Sequence, residues 1–353
     1  MRTIDWVDGA IELVDQTLLP HRLEQRRVTD LPDLISDIQR LAVRGAPALG
    51  VAGAMGVALI AANVAAGGTS ADGSAAVALD RDEVVRQAHL LREARPTAVN
   101  LSWGVDRALT RLDEGAAAIL EEALAIRDED IAACISMGLR GADLTRELTG
   151  KDPVRVMTIC NTGGLATVER GTALGVIQTL LEQGSLAEAF PLETRPLLQG
   201  ARLTAWELQR MGAPFRLLID SAGPFLLSRG IADAVFIGAD RIAANGDSAN
   251  KIGSFSLALA AQHAGVPFIV VAPESTVDMK TASGADIEIE DRGVDEVAGF
   301  GGTRTAPEGI GAVNPAFDVT PHELITAIVT ERRIIRPGSG ETLATVPLEP
   351  LRS

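Results

Sequence analysis

From Val154 onward the chain alternates short apolar runs, rich in β-branched and aromatic residues, with stretches of helical periodicity. The runs fall at 154–159, 189–192, 215–219, 234–237 and 268–272, and the helical stretches at 172–183, 200–211, 224–229 and 254–264. Short continuous apolar runs suit strands buried on both faces. Parallel neighbours cannot be joined by a tight turn and need a crossover, which the helical stretches supply. Five such runs predict an α/β fold with a Rossmann-like doubly wound parallel sheet. A Gly- and Pro-rich stretch at 291–320, periodic in nothing, reads as a lid or binding loop, and a final helix is expected over 321–333.

The front of the chain has a different texture. Residues 10–30 read as a hairpin, with β-type stretches at 11–14 and 26–28 on either side of Pro20. Helical patterns cover 31–40, 47–65, 81–94, 100–112 and 116–148, the last with an expected break near 127–129. A Gly-, Ser- and Ala-rich loop is expected at 67–77. The expected division is therefore a smaller, mainly helical N-terminal domain with a short β-hairpin, 1–127, and a Rossmann-like domain, 128–353. The uncharged run 45–71 is long enough to cross a bilayer. It is built mostly of Ala, Gly and Val without an aromatic belt, and Gly50, Gly53 and Gly56 suit a helix packed closely inside a protein, so no membrane partner is expected.

Composition narrows the function. The chain carries 32 basic against 47 acidic side chains, a formal charge of −15. Nucleic acid is not an expected partner, because its phosphates need a basic face. Aromatics make up 3% and Tyr is absent, so base-stacking platforms are not expected either. Cys134 and Cys160 cannot make a disulfide framework, and no secretory n- and h-region opens the chain, which points to the cytoplasm. His21, His89, His263 and His322 show no ligand spacing, and no Cys/His cluster, Walker loop, G-x-G-x-x-G or nucleophile elbow is present. No metal or cofactor is expected.

In a parallel sheet of this kind ligands lie beyond the carboxyl ends of the strands. The residues following the runs are Cys160-Asn161-Thr162-Gly163-Gly164, Glu193-Thr194-Arg195-Pro196, Asp220-Ser221, Gly238-Ala239-Asp240-Arg241 and Ala272-Pro273-Glu274-Ser275. Amides of the first group suit an anion-binding nest, whose field would favour a reactive thiolate at Cys160; a small buried hydrophobe is an equally good reading. Asp240, after an apolar run, suits a general acid whose pKa burial raises, against the commoner roles of helix cap or partner of Arg241. Asn250-Lys251-Ile252-Gly253 leads into a helix, where Lys251 (one of three lysines) and free amides suit a phosphate. Arg44-Gly45-Ala46-Pro47 opens another helix with the same potential, and Arg95-Pro96-Thr97 is further polar punctuation.

These motifs, together with 95–101, 193–208 and 238–246, resemble the methylthioribose-1-phosphate isomerase family of methionine salvage over about 44–337. The superfamily also holds ribose-1,5-bisphosphate isomerases and regulatory subunits of translation initiation factor 2B. The resemblance implies an aldose–ketose isomerase working as a homodimer on a small-molecule sugar phosphate. Cys160 and Asp240 match its catalytic pair. Arg44, Gly45, Ala46, Arg95, Gln199, Asn250 and Lys251 match its substrate-binding positions. Glu169-Arg170 and the stretch 220–224 depart from the usual family pattern, leaving the C5 group of the sugar open: methylthio, deoxy or phosphate. A non-catalytic assembly subunit is the alternative outside the enzyme class. In the enzymatic reading Asp240 protonates the ring oxygen, and Cys160 either removes the C2 proton or positions a hydride shift.

Overall fold

The structure, a computed structural model, describes residues 1–67, 79–96 and 98–352. Most of the loop expected at 67–77, and Thr97, lie outside the described residues; Gly67 itself ends a helix. The chain separates into two compact units, Met1–Ala132 with Gly164–Glu169, and Ala133–Gly163 with Arg170–Ser353.

The first unit begins with an antiparallel meander, β1 (Ile4–Val7), β2 (Ala10–Val14) and β3 (Gln25–Val28). Strand β1 precedes the expected hairpin and was not anticipated; its sequence Ile-Asp-Trp-Val is too short to establish a period. Helices α1 (Leu31–Gln39), α2 (Ala46–Gly67), α3 (Arg81–Arg92) and α4 (Val99–Leu109) follow. Asp30 caps α1 by accepting the Asp33 amide at 2.9 Å. Helix α2 is long and apolar enough to cross a membrane, yet 78% of its most apolar window is buried inside the protein. Its glycines explain the fit: a Cβ at Gly53 would meet the Leu101 carbonyl on α4. The two backbones approach closely only because side chains are missing there.

Helix α5 (Ala116–Thr149) contributes its first part to one unit and its second to the other. It is continuous, so the break expected near 127–129 does not occur. The charged run that suggested it is used on the helix surface: Arg127 pairs with Asp5 and Asp128, and Glu129 with Arg107.

The second unit is built on a six-stranded sheet formed by β4 (Val154–Thr158), β5 (Leu186–Pro191), β6 (Ala234–Ile237), β9 (Phe268–Val271), β14 (Ala327–Val329) and β15 (Ile334–Ile335). Between them lie α6 (Ala173–Glu182), α7 (Ala205–Met211), α8 (Ala222–Ser228), the hairpin β7 (Arg241–Ala243) and β8 (Ser248–Lys251), and α9 (Ser254–Ala264). Spatial order is β15-β14-β9-β6-β4-β5, all neighbours parallel except β14 and β15. Alternate residues face opposite layers, as the two-residue repeat of a strand requires. Ala234, Phe236, Ile269 and Val271 join the core with α6 and the end of α5; Val235, Ile237, Phe268 and Val270 join the other with α9. The sheet is doubly wound, as expected.

Two expectations at the strand level fail. Residues 215–219 make only isolated parallel bridges, Ala189 to Phe215 and Leu192 to Leu218, beside β5. Arg216, Leu217 and Ile219 are too exposed or polar-flanked to make this a core strand. The helix expected over 321–333 is instead a 3-10 turn, His322–Leu324, followed by β14. Ala327, Ile328 and Val329 are fully buried, and a strand buried on both faces carries no alternation to distinguish it from a helix. The stretch 291–320 also holds more structure than a loop: α10 (Asp295–Ala298), the small hairpin β11 (Gly299–Phe300) and β12 (Thr303–Arg304), and β13 (Phe317–Thr320). Strand β13 pairs antiparallel with β8 in a second sheet, ordered β10-β7-β8-β13 with β10 at Val277–Asp278.

Candidate active site

Strand β4 lies between β5, which succeeds it in the chain, and β6, which comes next but on the opposite side. The winding reverses at β4, so its carboxyl end is the switch point where such sheets open a crevice for ligand. Cys160 stands two residues past β4, and Asp240 comes shortly after the neighbouring β6. Register places Thr158 opposite Phe236, and a Cβ on Gly238 would press on the Thr162 side chain. The thiol-bearing and acid-bearing segments thus leave adjacent strand ends side by side.

The Cys160 turn is tightly held. Cys160 adopts φ 66°, in the left-handed region that non-glycine residues rarely occupy. Its amide donates to Thr194 Oγ1 at 2.8 Å, and its carbonyl accepts from Thr204 Oγ1 at 2.6 Å. Asn161 donates to the buried Glu207 carboxylate at 2.5 Å. The expected anion nest is therefore changed: the first of its amides is committed to Thr194. Gln199, from the adjoining loop, is buried, and its side-chain oxygen has no partner among the described residues. It precedes a turn of π-helix at Gly200–Thr204, a form frequent at functional sites.

Asp240 is half-buried, less enclosed than its apolar approach suggested, because the chain turns there into β7. Its amide donates to Ala249 O at 2.8 Å, which sets it beside the strand carrying Asn250 and Lys251. Arg241 pairs with Asp278 at 3.7 Å. Lys251 lies on β8, not at a helix start, and is buried; its ammonium donates to Ala316 O at 2.7 Å and sits 4.4 Å from the Phe317 ring centroid. Asn250 donates to Ser254 Oγ at 2.8 Å. The amides expected to be free at the start of α9 are not: those of Gly253 and Phe255 donate to Asp318 at 2.7 and 3.1 Å. Burial pushes the Asp318 carboxyl up to about 6 despite these amides and the nearby Lys251 charge.

In the first unit, Arg44 and Gly45 precede α2, and Ala46 opens it. Gly45 has φ 96°, and a Cβ there would collide with Ala166, so only glycine serves. Arg44, Gly45, Ala46 and Arg95 are all half-buried. The expected site residues thus divide between the units, with Cys160, Gln199, Asp240, Asn250 and Lys251 in the second.

One group of potential metal ligands, Asp247, His322 and Glu323, converges among the described residues. Burial works to raise the Asp247 pKa, but hydrogen bonds from Asn245, His322 and the Gly284 amide hold it at about 2. The carboxylate braces the β7–β8 turn. Sequence spacing missed this contact because His322 reaches it from 75 residues away. Thr204, Glu207 and Asp318 were also missed as site residues; the first two lie on a helical stretch with no local signal, and Asp318 depends on the β8–β13 pairing.

The sequence profile of the initiation factor 2 subunit family matches residues 42–337. The chain belongs to this family. Family relatives include a probable bifunctional methylthioribose-1-phosphate isomerase/methylthioribulose-1-phosphate dehydratase of Nocardia farcinica, 49% identical over 95% of this chain; the chain spans only 60% of that protein. The methylthioribose-1-phosphate isomerase of Chloroflexus aurantiacus is 48% identical, covering 96% of both chains. A 5-deoxyribose 1-phosphate isomerase of Moorella thermoacetica is 46% identical over 97% of this chain and 96% of its own. Among family structures, 5-methylthioribose 1-phosphate isomerase from Pyrococcus horikoshii superposes with TM-score 0.83 at 39% identity, covering 95% of this chain and 92% of that one. Translation initiation factor eIF-2B subunit delta from A. fulgidus gives 0.82 at 39% identity, covering 96% and 97%.

Proposed function

We propose that the protein is an aldose–ketose isomerase converting 5-methylthioribose 1-phosphate to 5-methylthioribulose 1-phosphate, with Cys160 and Asp240 as its catalytic pair. The observation that carries this reading is the thiol held in a strained turn at the switch point of the sheet, next to an acid from the adjacent strand end. A subunit that only assembles has no physical need for that pairing. The isomerase relatives support the same reaction.

The phosphate on C1 prevents spontaneous ring opening, so an acid must protonate the ring oxygen, and Asp240 supplies it. Hydrogen then passes from C2 to C1, with Cys160 acting as base or positioning a hydride shift. In the second unit Gln199, Asn250 and Lys251 bind the sugar phosphate, and in the first unit Arg44, Gly45, Ala46 and Arg95 match substrate-binding positions of the resembled family; the local cations offset the chain's charge of −15. The test is ketose formation from three substrates differing at C5: the methylthio, deoxy and phosphorylated pentose 1-phosphates. Highest kcat/KM with the methylthio sugar supports the reading. Preference for the deoxy sugar, as the name of the Moorella relative suggests, moves the substrate but keeps the reaction. No turnover of any sugar sinks the enzyme.

We also infer that the protein works as a cytoplasmic homodimer. Among the described residues neither Cys134 nor Cys160 is in a disulfide, in keeping with a reducing compartment. Helices α8 and α9 pack together, and around them Ile219 is 59%, Phe225 64% and Leu259 45% exposed. Exposed apolar side chains on and beside two neighbouring helices suit an association surface between two copies of the chain. Light scattering should give twice the 36.9 kDa chain mass, and a Phe225→Asp chain should run as a monomer. A monomeric wild type overturns this inference.

A further inference from the structure

Cys160 and Thr194 both hold φ 66°, and Leu198 in the same loop holds 56°. A β-branched residue such as Thr194 is an outlier in this region and stays there only where its surroundings over-determine it. The determinants are visible. The amides of Thr194 and Arg195 donate to the two oxygens of the Asp220 carboxylate, each at 2.7 Å. The Thr194 hydroxyl, fully buried, donates to Leu192 O at 2.9 Å and accepts the Cys160 amide at 2.8 Å. With Thr204 on the Cys160 carbonyl, the peptides on both sides of the cysteine are anchored by threonine hydroxyls.

Glycine would make this turn without strain if the turn served only to end β4. What the arrangement adds is a thiol whose direction is fixed by its backbone. We propose that Asp220 and Thr194 are positioning residues for Cys160: the carboxylate locks Thr194 into its turn, and the Thr194 hydroxyl locks Cys160 into its own. This rests on Cys160 being the hydrogen-transfer residue. In the sequence Asp220 stands after an apolar run and Thr194 in a polar stretch, and no local pattern links either to the thiol.

The test is a kinetic cycle on the intact protein with the preferred pentose 1-phosphate. Thr194→Val keeps shape and loses the accepting oxygen; kcat should fall by about 10²-fold, the scale expected when a reacting group is misplaced by an ångström, with KM little changed. Thr194→Ser restores the oxygen and should recover most of the loss. Asp220→Asn, which keeps one acceptor, should lower kcat by less than Asp220→Ala. In a Cys160→Ser background, Thr194→Val should cost nothing further, because its effect runs through the thiol. Wild-type kcat in a folded Thr194→Val chain, or a loss that multiplies with that of Cys160→Ser, overturns the proposal. If Thr194→Val does not fold, the same criteria apply to Asp220→Asn. A Cys160→Ser enzyme with near-normal kcat overturns the active-site reading itself, whereas a crippled Cys160→Ser beside an unaffected Thr194→Val overturns only the positioning role.

Discussion

Asp318 on β13 accepts the backbone amide of Gly253 at 2.7 Å, so a carboxylate from 65 residues downstream closes the N-terminus of α9. Burial outweighs this bond, the Phe255 amide and the charge of Lys251, and holds the carboxyl at about 6 against an ordinary 3.8. Between those values the folded chain keeps a proton that the unfolded chain has released. The stability contributed by this protonation is complete below 3.8 and lost as pH rises through about 6. Urea unfolding across that window should show wild type losing stability relative to Asp318→Asn as pH rises. A difference independent of pH would mean that Asp318 titrates as an ordinary carboxyl.

Lys251 is buried on β8 with its ammonium on the Ala316 carbonyl. If it binds the phosphate, Lys251→Met keeps most of the apolar stem and removes a charged hydrogen bond contributing about 1.5–3 kcal/mol. KM should rise by about 10- to 100-fold while kcat changes less. A folded Lys251→Met enzyme with wild-type KM would remove this residue from the site.

The doubly wound sheet was readable because its strands are short apolar runs separated by crossover helices, and the helices around 254–264 and 173–182 carry clear boundaries. Strand β14 was not readable, since Ala327, Ile328 and Val329 face protein on both sides and show no period. At the proposed site, the places of Cys160 and Asp240 just past strand ends were legible from the apolar runs before them. Their pairing as catalytic residues came only from the family resemblance, because local pattern left a buried thiol and a capping or ion-paired carboxylate equally open. Lys251 was legible as a residue but not in its setting: whether the amides ahead of α9 are free depends on Asp318, and nothing near Gly253 in sequence reports the β8–β13 pairing. Local pattern carries strand ends; it does not carry which distant strand covers them.

Gly200 stands directly after Gln199, and a Cβ there would be driven into the Leu192 carbonyl oxygen. Neither is the end of a flexible side chain, so Gly200→Ala must shift the backbone. Overpacking of this kind costs about 1–3 kcal/mol, which for a chain of 353 residues lowers the melting midpoint by about 1–2 °C per kcal/mol. The π-turn should move with it and take Gln199 along. Calorimetry and KM measured together check this, and a Gly200→Ala chain unchanged in both would show that the loop gives way freely.

Asp240 leaves β6 beside the Cys160 turn and is half-buried, with its amide fixed to Ala249. A sugar with phosphate on C1 opens only if its ring oxygen receives a proton as the C1–oxygen bond breaks. Asp240→Asn keeps the shape and a hydrogen-bond donor but has no acidic proton to deliver. General acid catalysis is worth about 10²–10⁴-fold, so kcat should fall by at least the lower figure while the substrate still binds. Binding is read separately, by thermal stabilisation with the pentose 1-phosphate, which occupied sites confer in proportion to ligand concentration over Kd. Heavy water separates the two hydrogen-transfer routes of the wild type after ring opening. Solvent deuterium at C1 of the ketose supports proton transfer with Cys160 as the base, and full retention of the C2 hydrogen favours a hydride shift. Either result leaves the role of Asp240 intact. An Asp240→Asn enzyme within about tenfold of wild type falls short of the general-acid contribution and removes Asp240 as the acid; one that loses binding together with turnover makes it a substrate ligand instead.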